Sequence, residues 1–161
     1  MSGVDPVTLE VVRNGCLAAA EEMTATLVRT AYSPNVKERR DCSCALFDAA
    51  GRMVAQAETI PVHLGAMPFS VEAALDRFPA DSLAPDDAVL LNDPYHGGQH
   101  IVDIIVFQPV FVEGERVGFA GSIAHHIDMG GGGAASLGPE VATTYGEGFR
   151  FSPLAIRTGT R

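Results

Sequence analysis

Basic residues are scarce. A single lysine, Lys37, and ten arginines stand against twenty acidic residues, for a formal net charge of −9. A nucleic-acid-binding face needs clustered cations to displace counterions from phosphates, so DNA and RNA are excluded as partners. No glycine-rich loop ends in Gly-Lys-Ser/Thr, the arrangement that cradles phosphates in a P-loop, so any ATP consumed must be held by another chain. The three cysteines, Cys16, Cys42 and Cys44, are an odd number, and the last two are too close for an ordinary disulfide scaffold, which fits a reducing compartment. There is no apolar run of about 18 residues to span a membrane, and the N-terminus is acidic where a signal peptide would be basic. A soluble, cytoplasmic protein is expected. With 161 residues and 47% hydrophobic content, the chain suffices for one modest globular domain.

Between Pro6 and Tyr32 the apolar residues Val7, Leu9, Val11, Val12, Leu17, Met23, Leu27 and Val28 recur at helical spacing. Asp5 is placed to cap this helix, Pro6 to open it, and Ser33-Pro34 to end it. Ala45-Leu46-Phe47 and Met53-Val54-Ala55 flank a turn at residues 48–51 and predict a hairpin. A second helix is expected over His63 to Phe78, then a turn-rich stretch. A short strand, Ala88 to Leu91, precedes a dense turn over residues 92–99. Ile104 to Val112 and Val117 to Ala124 form the clearest strand pair, followed by a glycine-heavy loop from His125 through Gly133. Helices and hairpins in separate runs, without βαβ alternation, predict an α+β fold of antiparallel hairpins with two packed helices.

All five histidines lie between positions 63 and 126. His100 and Asp103 stand three apart at a strand entrance. Residues of opposite parity on a regular strand face opposite sides, so His100 must occupy the irregular turn before it if both are to reach one ion. The next hairpin supplies a third donor. If Glu113, Gly114 and Glu115 form a three-residue loop, Asp103 falls opposite His125; if only Glu113 and Gly114 turn, Asp103 shares its face with His126. The three-residue loop is the expected geometry, which favours His125. Two imidazoles and a carboxylate with open positions suit a divalent ion, manganese, iron, cobalt or zinc, and the lack of thiolates argues against a closed structural zinc site. The alternative is that the histidines only cap the hairpin while Asp103 faces solvent.

Asp93, His96 and Asp128 flank this cluster and are candidates for general acid–base work, for orienting ligands, or for plain turn roles. His63, among apolar neighbours, is expected to be a core or capping residue. Cys42 and Cys44 alternate along a strand and are expected in the core.

Five segments occur together in one order: Lys-Glu-Arg-Arg-Asp-Cys-Ser-Cys-Ala-Leu-Phe-Asp (37 to 48), Ile-Pro-Val-His-Leu-Gly-Ala-Met (60 to 67), Asn-Asp-Pro-Tyr-His-Gly-Gly-Gln-His-Ile-Val-Asp (92 to 103), Ala-His-His-Ile-Asp-Met-Gly-Gly (124 to 131) and Tyr-Gly-Glu-Gly (145 to 148). Together they resemble the hydantoinase B/5-oxoprolinase family, which includes N-methylhydantoinase beta subunits and acetone carboxylase alpha subunits. The resemblance implies a hydrolase subunit that opens a cyclic amide of hydantoin or 5-oxoproline type, in a heteromer with a hydantoinase A-type subunit that binds ATP. In the carboxylase branch of the family the substrate is a small ketone, and the resemblance puts manganese at His100, Asp103 and His125. Members run to several hundred residues, so residues 1–161 are expected to be the N-terminal region of a larger hydantoinase B-like fold, truncated after Ile156–Arg161, and an inactive fragment is a third reading. Residues 132–136 also depart from the family's usual proline-glycine-serine element.

Overall fold

The computed structural model describes residues 3–133 and 138–157. The first helix, α1 (Pro6–Thr30), starts as expected: Asp5 Oδ2 accepts from the Thr8 N–H and hydroxyl, each at 3.0 Å, and Pro6 occupies the first turn, where no N–H is needed. Ser33-Pro34 ends it but opens a further single turn, α2 (Pro34–Lys37). Residues 3–15 of the α1 region are exposed, and packing is confined to the helix's second half, where Ala20 and Thr24 are buried.

The centre is one antiparallel sheet in the order β2-β1-β5-β4-β3-β6, built from β1 (Cys42–Asp48), β2 (Met53–Gln56), β3 (Ala88–Leu91), β4 (Asp103–Val112), β5 (Glu115–His125) and β6 (Leu154–Ile156). Side chains alternate across it. One face carries Ala45, Phe47, Val89, Leu91, Ile105, Phe107, Phe119 and Ile123 against Leu64, Met67, Val71 and Ala74 of α3 (Pro61–Arg77). These α3 positions recur at helical spacing, so one stripe of the helix enters the core, and each large aliphatic or aromatic side chain buried there contributes about 1.5–3 kcal/mol. The opposite face meets α1: Cys44 and Ser122 line a cleft with Ala19, Met23 and Leu27. The two long helices therefore pack on opposite sides of the sheet. The fold is α+β, as expected, with β6 and the short α4 (Thr144–Glu147) added by a C-terminal stretch whose pattern is too brief to read as regular structure. Among the described residues no helix is long and apolar enough to cross a membrane.

The β4–β5 hairpin corrects one expectation. Val112 pairs with Glu115, so the turn uses two residues, Glu113 and Gly114, not three. Both have positive φ, 51° and 85°, the requirement of a type I′ turn, whose twist suits the flanking strands. The extra residue lies instead in a bulge, where Val110 pairs with Gly118 and Phe111 with Arg116, so that Val117 is left over. The bulge shifts the register by the residue that the loop does not, and Asp103 still falls opposite His125.

The turn between β3 and β4 is tied down from two sides. Wholly buried Asn92 donates from Nδ2 to Ile101 O at 2.5 Å and Phe149 O at 2.9 Å, and accepts from Phe151 N at 2.6 Å. Ser70 of α3 donates to Gly97 O at 2.6 Å. Gly97 has φ 83°, and a Cβ there would lie 2.5 Å from Ser70 N, so glycine is required on both counts. The departure at residues 132–136 falls partly, and the chain end at Ile156–Arg161 mostly, outside the described residues.

Candidate metal centre

Three strands converge at one end of the α3-facing side of the sheet: the start of β1, the start of β4 and the end of β5. Asp103, the first residue of β4, is wholly buried, and each carboxylate oxygen is engaged by an imidazole. His100 Nδ1 lies 2.8 Å from Oδ2, and His125 Nδ1 lies 2.7 Å from Oδ1. His100 sits in the turn before the strand, whose Asp103 N–H donates to His100 O at 2.9 Å; this irregular backbone lets two residues of opposite parity meet. Ligand-capable atoms of His100, Asp103 and His125 all lie within 4.8 Å of one another. The His100 side chain is 64% exposed, so the cluster opens to solvent on that side. A buried carboxylate needs compensating partners, and these two imidazoles supply them.

His126 is exposed, and its backbone N–H donates to Val102 O at 2.8 Å. Among the described residues no hydrogen bond or ion pair joins its ring to Asp103.

Two groups that sequence reasoning did not bring to this place lie beside the cluster. The Asp41 backbone carbonyl accepts from His125 N at 3.0 Å, which puts its carboxylate 4.0 Å from His125 Nδ1. Arg40, just before it, has φ 56°, an uncommon conformation for a side-chain-bearing residue, costing on the order of 1 kcal/mol and held where the chain turns into β1. His63, on the first turn of α3, is buried as expected. Its Nε2, however, faces Asp41 Oδ1 at 3.6 Å and Asp103 Oδ1 at 3.9 Å, while Nδ1 lies 3.3 Å from Ser43 Oγ. Burial pushes its pKa below the usual histidine value, against the pull of both carboxylates. The only sequence signal for either group was its place inside a quoted motif, residues 37–48 for Asp41 and 60–67 for His63, since the contacts depend on the pairing of β1 with β5 and on the docking of α3.

Asp93 and His96 form a separate pair. Asp93 caps the 3-10 turn Pro94–His96 by accepting from Tyr95 N, and its Oδ2 meets His96 Nδ1 at 3.0 Å, Ser152 Oγ at 2.9 Å and Arg150 Nε at 3.8 Å. Burial opposes its charge, but these donors prevail and hold the carboxyl below its ordinary pKa. Asp128 is exposed and accepts from Gly130 N at 2.7 Å, a local turn contact. Cys42 and Cys44 are core residues; burial, followed by the influence of Cys44, pushes the Cys42 thiol up to about 11.

Antiparallel strands meeting at a His-Asp-His cluster with a buried carboxylate define an α+β domain with a candidate metal-binding mouth at one sheet end. The profile of the hydantoinase B/oxoprolinase family matches residues 5–161, and the chain belongs to that family. Over 156 residues it is 37% identical to the caprolactamase subunit beta of Pseudomonas jessenii, covering 97% of this chain and 27% of that protein. It is 39% identical over 158 residues to 5-oxoprolinase of Saccharomyces cerevisiae, covering 97% of this chain and 12% of that one. In structure it is similar to the ATP-dependent caprolactamase of Pseudomonas jessenii, with a TM-score of 0.81 at 35% identity over 96% of this chain and 26% of that chain. It is also similar to nucleotide-free acetone carboxylase, with a TM-score of 0.78 at 26% identity over 92% of this chain and 20% of that one. The chain thus spans about a quarter or less of the length of these relatives.

Proposed function

We propose that this chain supplies the metal centre of an ATP-coupled hydrolase that opens a cyclic amide of hydantoin, 5-oxoproline or lactam type. The observation that carries the proposal is Asp103: a wholly buried carboxylate with an imidazole on each oxygen, in a family whose relatives include a 5-oxoprolinase and a caprolactamase. Two imidazoles, one carboxylate and the nearby carboxylate of Asp41 are a donor set for a mid-series divalent ion, manganese first, with zinc or iron as alternatives. When bound, such an ion polarises an amide carbonyl and lowers the pKa of water. Asp103 orients both rings, and the exposed side of His100 leaves a way in for substrate. The Asp93–His96 pair is the candidate proton carrier: Asp93 holds Nδ1 and leaves Nε2 of a half-exposed ring to take or give a proton. Asp128 has only its loop contact in support of a catalytic role.

In this reading ATP is held by a hydantoinase A-type partner subunit, and the lack of a P-loop within residues 1–161 is consistent with that. A carboxylase of small ketones is the second reading, favoured by the likeness to acetone carboxylase. The full-length protein, purified with its ATP-binding partner, should consume ATP with 5-oxoproline, hydantoin or caprolactam and release the ring-opened acid. ATP use that instead requires acetone and bicarbonate supports the second reading, and no turnover with any of these substrates refutes both.

A further inference from the structure

The buried histidine of α3 stands beside the cluster without belonging to it. His63 is not among the residues whose ligand atoms lie within 4.8 Å of one another, and it is 2% exposed. Its Nδ1 meets Ser43 Oγ at 3.3 Å, and Ser43 Oγ accepts from Thr59 Oγ1 at 2.8 Å, a normal O–H···O distance, whereas that hydroxyl's other acceptor, Ala57 O, lies at 3.5 Å. Ser43 is wholly buried. A hydroxyl carries one proton; with Thr59 donating to Ser43, the Ser43 proton is free, and His63 Nδ1 is its one recorded acceptor among the described residues. Nδ1 is then an acceptor, so the ring proton sits on Nε2, the nitrogen that faces Asp41 Oδ1 at 3.6 Å and Asp103 Oδ1 at 3.9 Å.

We propose that His63 is a positioning residue of this centre: the Thr59–Ser43 hydroxyl relay holds it as the neutral Nε2–H tautomer, which presents a donor to the carboxylates of Asp41 and Asp103 and does not bind the ion. The proposal rests on the metal reading given above. Two carboxylates brought this close repel each other, and a neutral donor between them eases that repulsion. An imidazolium in the same place would add a positive charge beside a divalent cation. A polar group behind metal ligands characteristically changes metal affinity about 10–100-fold when removed.

The test has two independent parts. In the wild-type chain with nitrogen-15 histidine, long-range proton–nitrogen NMR reads the tautomer directly. The expected result is a protonated Nε2 and a bare Nδ1 on His63, and the reverse tautomer or an imidazolium at neutral pH overturns the proposal. Manganese titration then compares wild type, His63→Leu and His63→Gln, with thermal unfolding of each as the folding control. His63→Leu should weaken manganese binding by about 10–100-fold, and His63→Gln, which restores an N–H at the Nε2 position, should recover most of the loss. Equal affinity in His63→Leu and wild type overturns the proposal. So does the loss of one manganese-coupled nitrogen in the spin-echo spectrum of His63→Gln, because His63 would then be a ligand. A wild-type chain that binds no manganese refutes the metal reading, and the tautomer measurement still decides the relay.

Discussion

Replacing Asn92 with alanine should be among the most damaging single changes in the molecule, although Asn92 touches none of the candidate ligands. Its side chain makes three hydrogen bonds, to Ile101 O, to Phe149 O and from Phe151 N, and all three partners are backbone groups. Asn92→Ala removes every partner at once and leaves two carbonyls and an N–H facing an apolar gap. Each buried polar group so orphaned costs about 1–3 kcal/mol. Water entering from the Phe149 side would relieve part of this, so the low end applies, about 3 kcal/mol in all. A domain of this size is stable by about 5–15 kcal/mol, so the change consumes a large share. At about 2–4 °C per kcal/mol the melting temperature should fall by about 10 °C. Urea unfolding followed by circular dichroism measures the loss directly, and Asn92→Asp provides a second reading. A carboxylate in that place faces two carbonyls, which raises its folded pKa, so stability should recover as pH falls through that raised value and the group becomes a neutral donor. A loss of less than about 1 kcal/mol in Asn92→Ala, within the range of an ordinary surface substitution, would refute the staple.

Other consequences follow from single contacts. Gly114→Ala should cost about 1–2 kcal/mol, since φ is 85° but nothing lies within 4 Å of the added Cβ. Gly97→Ala adds a backbone collision to a similar φ and should cost clearly more; equal losses in urea unfolding would discount the close approach to Ser70. Asp93 is held below its ordinary value of 3.8, so its contribution to stability is present above that pH and lost as pH falls through the lower folded value. Asp93→Asn should therefore be less stable than wild type at neutral pH, with the gap closing in acid; a gap independent of pH would assign the effect to packing alone.

Much of the site was legible from residue order. Asp5 and Pro6 announced α1, alternation announced the central hairpin, and counting pairs from its turn brought Asp103 opposite His125. That count succeeded through a different route, because the turn has two residues and a bulge at Val117 supplies the offset. Bulges leave little trace in composition, since any residue can be the one left unpaired. Asp41 and His63 were not legible as neighbours of this place. Their approach depends on β1 pairing with β5 and on the docking of α3, contacts between segments far apart in sequence. Asn92 read as an ordinary turn residue because its three partners lie 9 to 59 positions away.

Metal content of the purified chain tests the central claim most directly. After loading with manganese and removal of excess by dialysis, elemental analysis should find one ion per chain in wild type and in His126→Ala. Asp103→Ala and His125→Ala should retain little or none while keeping their far-ultraviolet spectra. Equal manganese in all four proteins, or none in any, would contradict the assignment of this cluster as a metal centre.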